Sequence, residues 1–213
     1  MQHLKKLIPA ALAVTTQMPL TNTKTEWRPD KFDTHEKSLA EAADHAARFV
    51  AAVDSGEVPY WLTLLGDCGC GKTMLARQIF CACMKYNPGA GSLWIRGSGP
   101  DAESNRRPRC VWMSATEFAD AIRKDFGLPE YLERDFIVVI DDVGAARDTT
   151  NFIADGLYRL ANVRLGRWTI FTTNLKLREI SENIDPRFAS RLIRDDNVCH
   201  KITAGDYAMR ARK

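Results

Sequence analysis

The chain has 213 residues, 45% of them apolar, and a formal net charge of +3 at pH 7. That length suits one sizeable α/β core and is too short for two, and no window approaches the ~20 apolar residues of a membrane span. The small positive charge permits contact with nucleic acid without indicating it. Six cysteines in a chain this long do not indicate a disulfide framework. We therefore expect reduced thiols, a cytoplasmic protein and no membrane partner.

The predicted elements follow a regular order along the chain. Residues 1–30 are polar and interrupted by prolines, which predicts an arm that either binds a partner or frays. Residues 31–213 are predicted to form one domain. After a helix that stops at Gly56, it alternates between strands and helices: strand WLTLLG, a helix over 72–86, strand CVWMS, a helical segment over 116–134, strand FIVVIDD, a helix over 150–165 and strand WTIFTTN. Apolar strands alternating with helices are typical of a parallel sheet covered on both faces.

The stretch GDCGCGKT, residues 66–73, lies between the first strand and the next helix. It fits the pattern G-x-x-x-x-G-K-[ST] in the strand–loop–helix context that a phosphate loop requires. Backbone N–H groups of such a loop face the β-phosphate, the lysine reaches the β and γ oxygens, and the threonine hydroxyl ligates Mg²⁺. We expect ATP or ADP with Mg²⁺ here, in contact with Gly66, Cys68, Gly69, Cys70, Gly71, Lys72, Thr73 and Met74.

Cysteines in and after this loop offer a metal-binding alternative. Cys68 and Cys70 form one C-x-C pair, and Cys81 and Cys83 form another. Zinc sites usually separate their cysteines by two to four residues, and neighbours at i and i+2 of a helix do not face the same way. We therefore interpret these thiols as loop and core fillers.

Polar residues at the ends of two later strands supply the remaining parts of a hydrolytic site. Asp141 ends an apolar strand, where it is placed to hold Mg²⁺ through water, and Asp142 is the candidate that activates the attacking water. Asn174 ends the strand WTIFTTN and is the candidate that contacts this water and the γ-phosphate. Such residues also occur as solvated strand caps, but their order after a phosphate loop favours catalysis.

The segment DPRFASRL carries Arg187 and Arg191, one helical turn apart on the same face. An arginine supplied to the γ-phosphate of a neighbouring subunit would stabilise the charge of the transition state. The alternative is an ordinary surface or salt-bridging arginine, which is the usual role of this residue type.

The order GDCGCGKT, VVIDDVGAARDT, IFTTNL, DPRFASRLI and a terminal DY-x-x-R resembles the DnaC/IstB-like AAA+ ATPases, from about Phe32 to the C-terminus. These are bacterial and phage helicase loaders and transposition-helper ATPases. The resemblance implies an α/β AAA+ P-loop NTPase fold with a parallel five-stranded sheet flanked by helices. It also implies ATP–Mg²⁺ at a subunit interface of an oligomer, with Asn174 as sensor. A trans-acting arginine finger is best matched by Arg191, with Arg187 second.

The C-terminal end departs from the family's pattern. Members commonly end with Tyr-Arg, whose arginine senses the nucleotide within its own subunit. Here Ala208 follows Tyr207, so that Arg210 is the candidate substitute.

The leading functional prediction is a DNA-replication ATPase, phage- or prophage-encoded, that assembles on single-stranded DNA and helps load a replicative helicase. Two alternatives stay open. One is a transposition helper acting on duplex DNA with a transposase, and the other is an AAA+ interaction module that binds nucleotide without turnover.

Two segments are candidates for DNA contact. The loop WIRGSGPDAESNRRPR suits phosphates and a stacked base, although its composition is also typical of a disordered insertion. Its basic and aromatic residues are Trp94, Arg96, Arg106, Arg107 and Arg109. The helical segment TEFADAIRKDFGLPEYLERD carries Arg123 and Lys124, at the position where related initiators and loaders have a strand-contacting insertion. The resemblance favours this second segment.

Overall fold

The computed structural model describes Phe32 and residues 34–84, 110–145 and 151–210. Its elements are α1 (Lys37–Ser55), β1 (Trp61–Gly66), α2 (Lys72–Met84), β2 (Cys110–Ser114), α3 (Ala115–Lys124), α4 (Leu128–Leu132), β3 (Ile137–Val143), α5 (Phe152–Val163), β4 (Trp168–Thr173), α6 (Leu177–Asn183), α7 (Pro186–Leu192), β5 (Val198–Ile202) and α8 (Tyr207–Arg210). The predicted arm over 1–30 lies outside the described residues, so the division of the chain into arm and domain stays a prediction.

The strands form one parallel sheet in the order β2-β3-β4-β1-β5. This confirms the predicted α/β fold with a five-stranded parallel sheet flanked by helices. The edge strand β5, with the sequence VCHKI, is absent from the strands predicted by periodicity. Most of its residues are only half-buried, and the strand therefore lacks the uninterrupted apolar run of the other strands.

The core consists of two apolar layers, one on each face of the sheet. Along β3, Ile137 and Val139 belong to the layer beneath α1 and α2, whereas Val138 and Ile140 belong to the layer beneath α3, α5 and α7. Successive side chains of a strand point to opposite faces, so a strand covered on both sides must be apolar throughout. This explains the uninterrupted hydrophobic runs in the sequence.

The helical segment predicted over 116–134 is two helices. α3 ends at Lys124, and the Asp125 carboxylate accepts a hydrogen bond of 2.9 Å from the Gly127 amide. Aspartate in such a local turn competes with helical hydrogen bonding, so the chain leaves the helix before α4 begins. None of the helices in the described ranges is long and apolar enough to cross a membrane.

A fully buried arginine aligns the amino ends of the central strands. The Arg164 guanidinium donates hydrogen bonds to the backbone oxygens of Leu132, Glu133, Asp135 and Trp168 and to the hydroxyl of Thr169. Burial lowers the pKa of Arg164 to about 9, which leaves the side chain charged at pH 7. The segment that enters β3 is thereby tied to the start of β4, which sets the register between these strands.

Candidate functional site

The candidate site lies at the carboxyl edge of the sheet, where β1, β4 and β3 end side by side. Because parallel strands present their carboxyl ends at one edge, loops distant in sequence meet there. A cavity of about 580 Å³ opens at this edge. It is lined by Phe32, Leu39, Cys68, Gly69, Cys70, Gly71, Lys72, Thr73, Met74, Asp141, Asp142, Asn174 and Tyr207.

The loop after β1 requires glycine for steric reasons. Gly66 has φ 154°, and a Cβ atom there would lie 2.5 Å from the backbone oxygen of Ile202 in β5. Gly69 has φ 75°, and its Cβ would collide with the carboxylate of Asp206. At these two positions the loop lies very close to β5 and to Asp206. α2 begins directly after the loop, at Lys72.

The Lys72 side chain crosses this loop and is 6% exposed. Its Nζ donates hydrogen bonds of 2.8 Å to the Asp67 carbonyl and 2.9 Å to Asn174 Oδ1, and lies 3.7 Å from Cys70 Sγ. The two oxygen partners are neutral dipoles. No carboxylate of the described residues lies within salt-bridge distance of Nζ.

Asp141 and Thr73 form a pair of hard oxygen ligands. The Thr73 hydroxyl donates a hydrogen bond of 2.9 Å to Asp141 Oδ1, and the Thr172 hydroxyl donates to the same oxygen. Burial raises the pKa of Asp141, while the hydrogen bonds from Thr172 and Thr73 act in the opposite direction. A partly desolvated carboxylate beside a hydroxyl is the donor set that Mg²⁺ favours, so these residues fit the predicted metal.

A β-bulge separates the two acids. Ile140 pairs with Phe171 and Val143 with Thr173, so β3 carries one more residue than β4 across this interval. Asp142 lies in the bulge and has a φ of 59°, a left-handed conformation that is uncommon for residues other than glycine. Its carboxylate accepts a hydrogen bond of 2.7 Å from the Asn174 amide. Both consecutive acids thereby reach the same cavity, although a regular strand would send them to opposite faces.

Sequence reasoning missed Thr172, which holds both acids. Besides donating to Asp141, its hydroxyl accepts a hydrogen bond of 2.8 Å from the Asp142 amide. The only sequence signal is its position two residues before Asn174 at the end of a buried strand. That signal does not distinguish it from Thr173, whose hydroxyl instead donates to the Val143 carbonyl.

Sequence reasoning assigned no contact in the cavity to three of its apolar or aromatic residues. Phe32 is 5% exposed, Leu39 belongs to α1, and Tyr207 begins α8. The Tyr207 amide donates a hydrogen bond of 3.0 Å to the Gly69 carbonyl, which fixes α8 to the loop. The side chains of Ala208 and Arg210 lie outside the described residues, so the role predicted for Arg210 stays a prediction.

The cysteines occupy different environments within this region. Cys68 is exposed on the loop, whereas Cys70 and Cys83 are buried in the same apolar layer. In the part of the chain that the structure describes, no group of three or more His, Cys, Asp or Glu residues is arranged to hold a metal ion.

Arg187 and Arg191 do not line this cavity. They lie on α7 and border a separate surface concavity together with Tyr158, Pro186, Ser190 and Arg194. Arg187 pairs with Asp185 at 2.7 Å and with Asp155 at 3.7 Å. Arg191 pairs with no carboxylate among the described residues.

The structure describes only the second of the two segments that are predicted to contact DNA. Trp94, Arg96, Arg106, Arg107 and Arg109 all lie outside the described residues. Arg123 is half-exposed at the end of α3 and pairs with Asp120 at 3.0 Å, and Lys124 follows it in the same turn. An exposed pair of this kind contributes little to stability.

No protein-family model and no curated protein sequence matches the chain. Solved structures do match it. The crystal structure of the DnaC helicase loader gives a TM-score of 0.60 at 17% identity, covering 82% of this chain and 96% of that one. DnaI gives 0.61 at 19%, covering 84% and 88%. The fold is that of the AAA+ P-loop proteins. The replication initiator DnaA, bound to AMPPCP and single-stranded DNA, gives 0.59 at 15% identity over 87% of this chain and 52% of that one.

The double role of Thr172 predicts a measurable stability effect. Thr172→Val keeps the side-chain shape but removes a partner from both Asp141 and the Asp142 amide, so the free energy of unfolding should fall by about 1–3 kcal/mol. Urea denaturation at pH 7 measures the change. The same variant should raise the pKa of Asp141 further, because a hydrogen bond to its charged form is lost.

Thr63→Val is the matched control for this experiment. Thr63 is also fully buried in a strand, but its hydroxyl has no hydrogen-bond partner among the described residues. Its replacement should leave stability unchanged or raise it slightly. Equal destabilisation by both variants would contradict the role given to Thr172.

Proposed function

We propose that this protein is a Mg²⁺-dependent AAA+ ATPase of the DnaC/IstB-like type, acting in DNA replication as a helicase loader in the cytoplasm. The observation that carries the proposal is the hydrogen-bonded chain from Lys72 through Asn174 to Asp142, next to the Thr73–Asp141 pair. It joins a phosphate-binding lysine, a metal ligand set and a base at one cavity.

The roles of the residues follow from these contacts. Lys72 leaves the Asp67 carbonyl and donates to the β- and γ-phosphate oxygens, because an anion is a stronger acceptor than a neutral carbonyl. Thr73 and Asp141 would hold Mg²⁺, which would neutralise negative charge on the phosphates. Asp142 accepts a proton from the attacking water. Asn174 keeps the Asp142 carboxylate in place and contacts the same water.

Three apolar or aromatic residues of the cavity suit the nucleobase. Phe32, Leu39 and Tyr207 offer apolar surface near the loop that takes the phosphates. We propose that they enclose the adenine ring, with Tyr207 as the more exposed wall.

Arg191 is the better candidate for an arginine finger. Its guanidinium has no acidic partner among the described residues, whereas Arg187 is already paired with Asp185 and Asp155. Since α7 does not border the nucleotide cavity, Arg191 would act on a neighbouring subunit. This requires a head-to-tail oligomer, in which each subunit completes the site of the next.

The replication role is supported by the likeness to the DnaC helicase loader, 96% of which is covered, and to DnaI. We propose a replicative helicase and single-stranded DNA as the partners. Arg123 and Lys124 are the proposed DNA contacts, since both are basic residues in the last turn of α3.

Two variants test the active site. Lys72→Ala should abolish ATP binding or turnover, because it removes the positive charge nearest the β- and γ-phosphates. Asp142→Asn should retain nucleotide affinity and lose turnover, since the metal ligand Asp141 remains. Nucleotide titration and phosphate release measure the two quantities separately. Normal hydrolysis by Lys72→Ala would exclude this cavity as the active site.

Mixed subunits test the finger in trans. Arg191→Ala and Lys72→Ala proteins should each be inactive alone. Their mixture should recover part of the hydrolysis, because some interfaces pair an intact loop with an intact arginine. Recovery is measured by phosphate release with DNA present. A mixture without recovery, together with a monomeric mass at all concentrations, would refute an oligomeric ATPase.

Salt dependence tests the DNA contacts. If Arg123 and Lys124 bind phosphates, replacing both by alanine should flatten the log–log slope of affinity against salt by roughly 1.4 for single strands. Fluorescence anisotropy with a labelled oligonucleotide measures the slope. Arg106→Ala/Arg107→Ala is the comparison variant. If the slope is unchanged for Arg123→Ala/Lys124→Ala and flattened for Arg106→Ala/Arg107→Ala, the DNA contacts belong to the segment that contains Arg106 and Arg107.

A further inference from the structure

The concavity on α5 and α7 is a second feature with concentrated charge. Its volume is about 380 Å³, and it is bordered by Tyr158, Pro186, Arg187, Ser190, Arg191 and Arg194. Arg187 and Arg191 project from one face of α7, and Tyr158 comes from α5. Neither helix contributes to the lining of the nucleotide cavity.

Tyr158 contacts both arginines of α7. The Arg187 Cζ atom lies 4.1 Å from the centroid of the phenol ring, and the Arg191 Cζ atom lies 5.5 Å from it. A guanidinium within about 6 Å of an aromatic face is attracted by the ring quadrupole. Hydrogen bonding by the Arg191 side chain, and secondarily by Asn162, lowers the pKa of Tyr158. The aromatic ring of Tyr158 therefore lies near both guanidinium groups of α7.

The two arginines differ in how their charge is balanced. Arg187 is fixed by Asp185, whose carboxylate accepts hydrogen bonds from Arg187 Nε and Nη2 and also caps α7. The Arg191 guanidinium lies 5.5 Å from the centroid of the Tyr158 ring and forms no salt bridge with a carboxylate among the described residues. Tyr158 orders it without neutralising it, which leaves the full charge available to an anion.

We propose that Tyr158 is a positioning residue that holds Arg191 in the orientation in which it meets the γ-phosphate bound by a neighbouring subunit. The inference rests on the proposed function, and it adds a residue that the sequence motifs do not contain. Arginine loses considerable rotamer freedom when it is immobilised. An arginine that an aromatic ring already orders loses less of that freedom at the subunit interface. Less of its interaction energy with the γ-phosphate is then offset by lost entropy, so the transition state is stabilised more.

Two substitutions of Tyr158 should lower the rate of ATP hydrolysis to different extents. Tyr158→Ala removes both the ring and the hydroxyl, and the rate should fall by on the order of 10-fold. Tyr158→Phe keeps the ring, so its loss should be smaller, about 3-fold. Both variants should bind ATP as the parent protein does, since Tyr158 does not border the nucleotide cavity.

A mixing experiment with the full chain separates positioning from a general structural effect. Arg191→Ala subunits supply the intact phosphate loop, and Lys72→Ala subunits supply the intact arginine. Adding Tyr158→Ala to the Lys72→Ala subunits should reduce the recovered hydrolysis about 10-fold. Adding Tyr158→Ala to the Arg191→Ala subunits should leave the recovery unchanged. Tyr131→Ala, a change to an exposed tyrosine of α4, is the control in the Lys72→Ala subunits.

The outcomes distinguish this inference from the proposed function. If the parent mixture recovers and Tyr158→Ala lowers recovery equally in either subunit, or in neither, Tyr158 does not position the arginine. If the parent mixture shows no recovery, the trans finger itself is refuted, and the inference falls with it. Loss confined to the Lys72→Ala subunits, with partial rescue by Tyr158→Phe, supports the positioning role.

Discussion

The two hydrogen bonds of the Thr172 hydroxyl are the interaction on which the candidate site depends. β4 lies between β1 and β3, so residues at its end lie next to both the phosphate loop and the acids. Thr172 donates to Asp141 and accepts from the Asp142 amide. It thereby holds the bulge that brings consecutive acids to one cavity. Two residues later, Asn174 connects Asp142 to Lys72.

The charges at this edge are arranged to attract both a cation and a polyanion. Asp141 and Asp142 are bound by hydroxyl and amide groups, and Lys72 is bound by a carbonyl and an amide oxygen. Within the part of the chain that the structure describes, Lys72 forms no salt bridge with either aspartate. A ligand that contains both a metal ion and a phosphate balances the aspartates and the lysine together. A metal ion alone would balance only the aspartates, and a phosphate alone only the lysine. This arrangement favours a nucleotide bound together with its metal.

Much of this arrangement was predictable because it lies in short contiguous motifs. The phosphate loop, the two acids and Asn174 each follow an apolar strand, and parallel strands bring such positions together. Thr172 and Tyr158 were not predictable, because their roles arise from contacts with residues distant in the sequence. The half-exposed β5 lacks the apolar run that identifies the other strands. The break between α3 and α4 depends on a local turn at Asp125 that helical periodicity does not reveal.

The phosphate loop also connects segments from both ends of the described chain. Phe32 lies against Gly71, and the Tyr207 amide is hydrogen-bonded to the Gly69 carbonyl. Gly69 adopts a φ of 75°, which disfavours residues with a side chain, and a Cβ atom there would also meet the Asp206 carboxylate. The loop is therefore held by Phe32 on one side and by α8 on the other, so that segments from both ends of the described chain shape the candidate cavity.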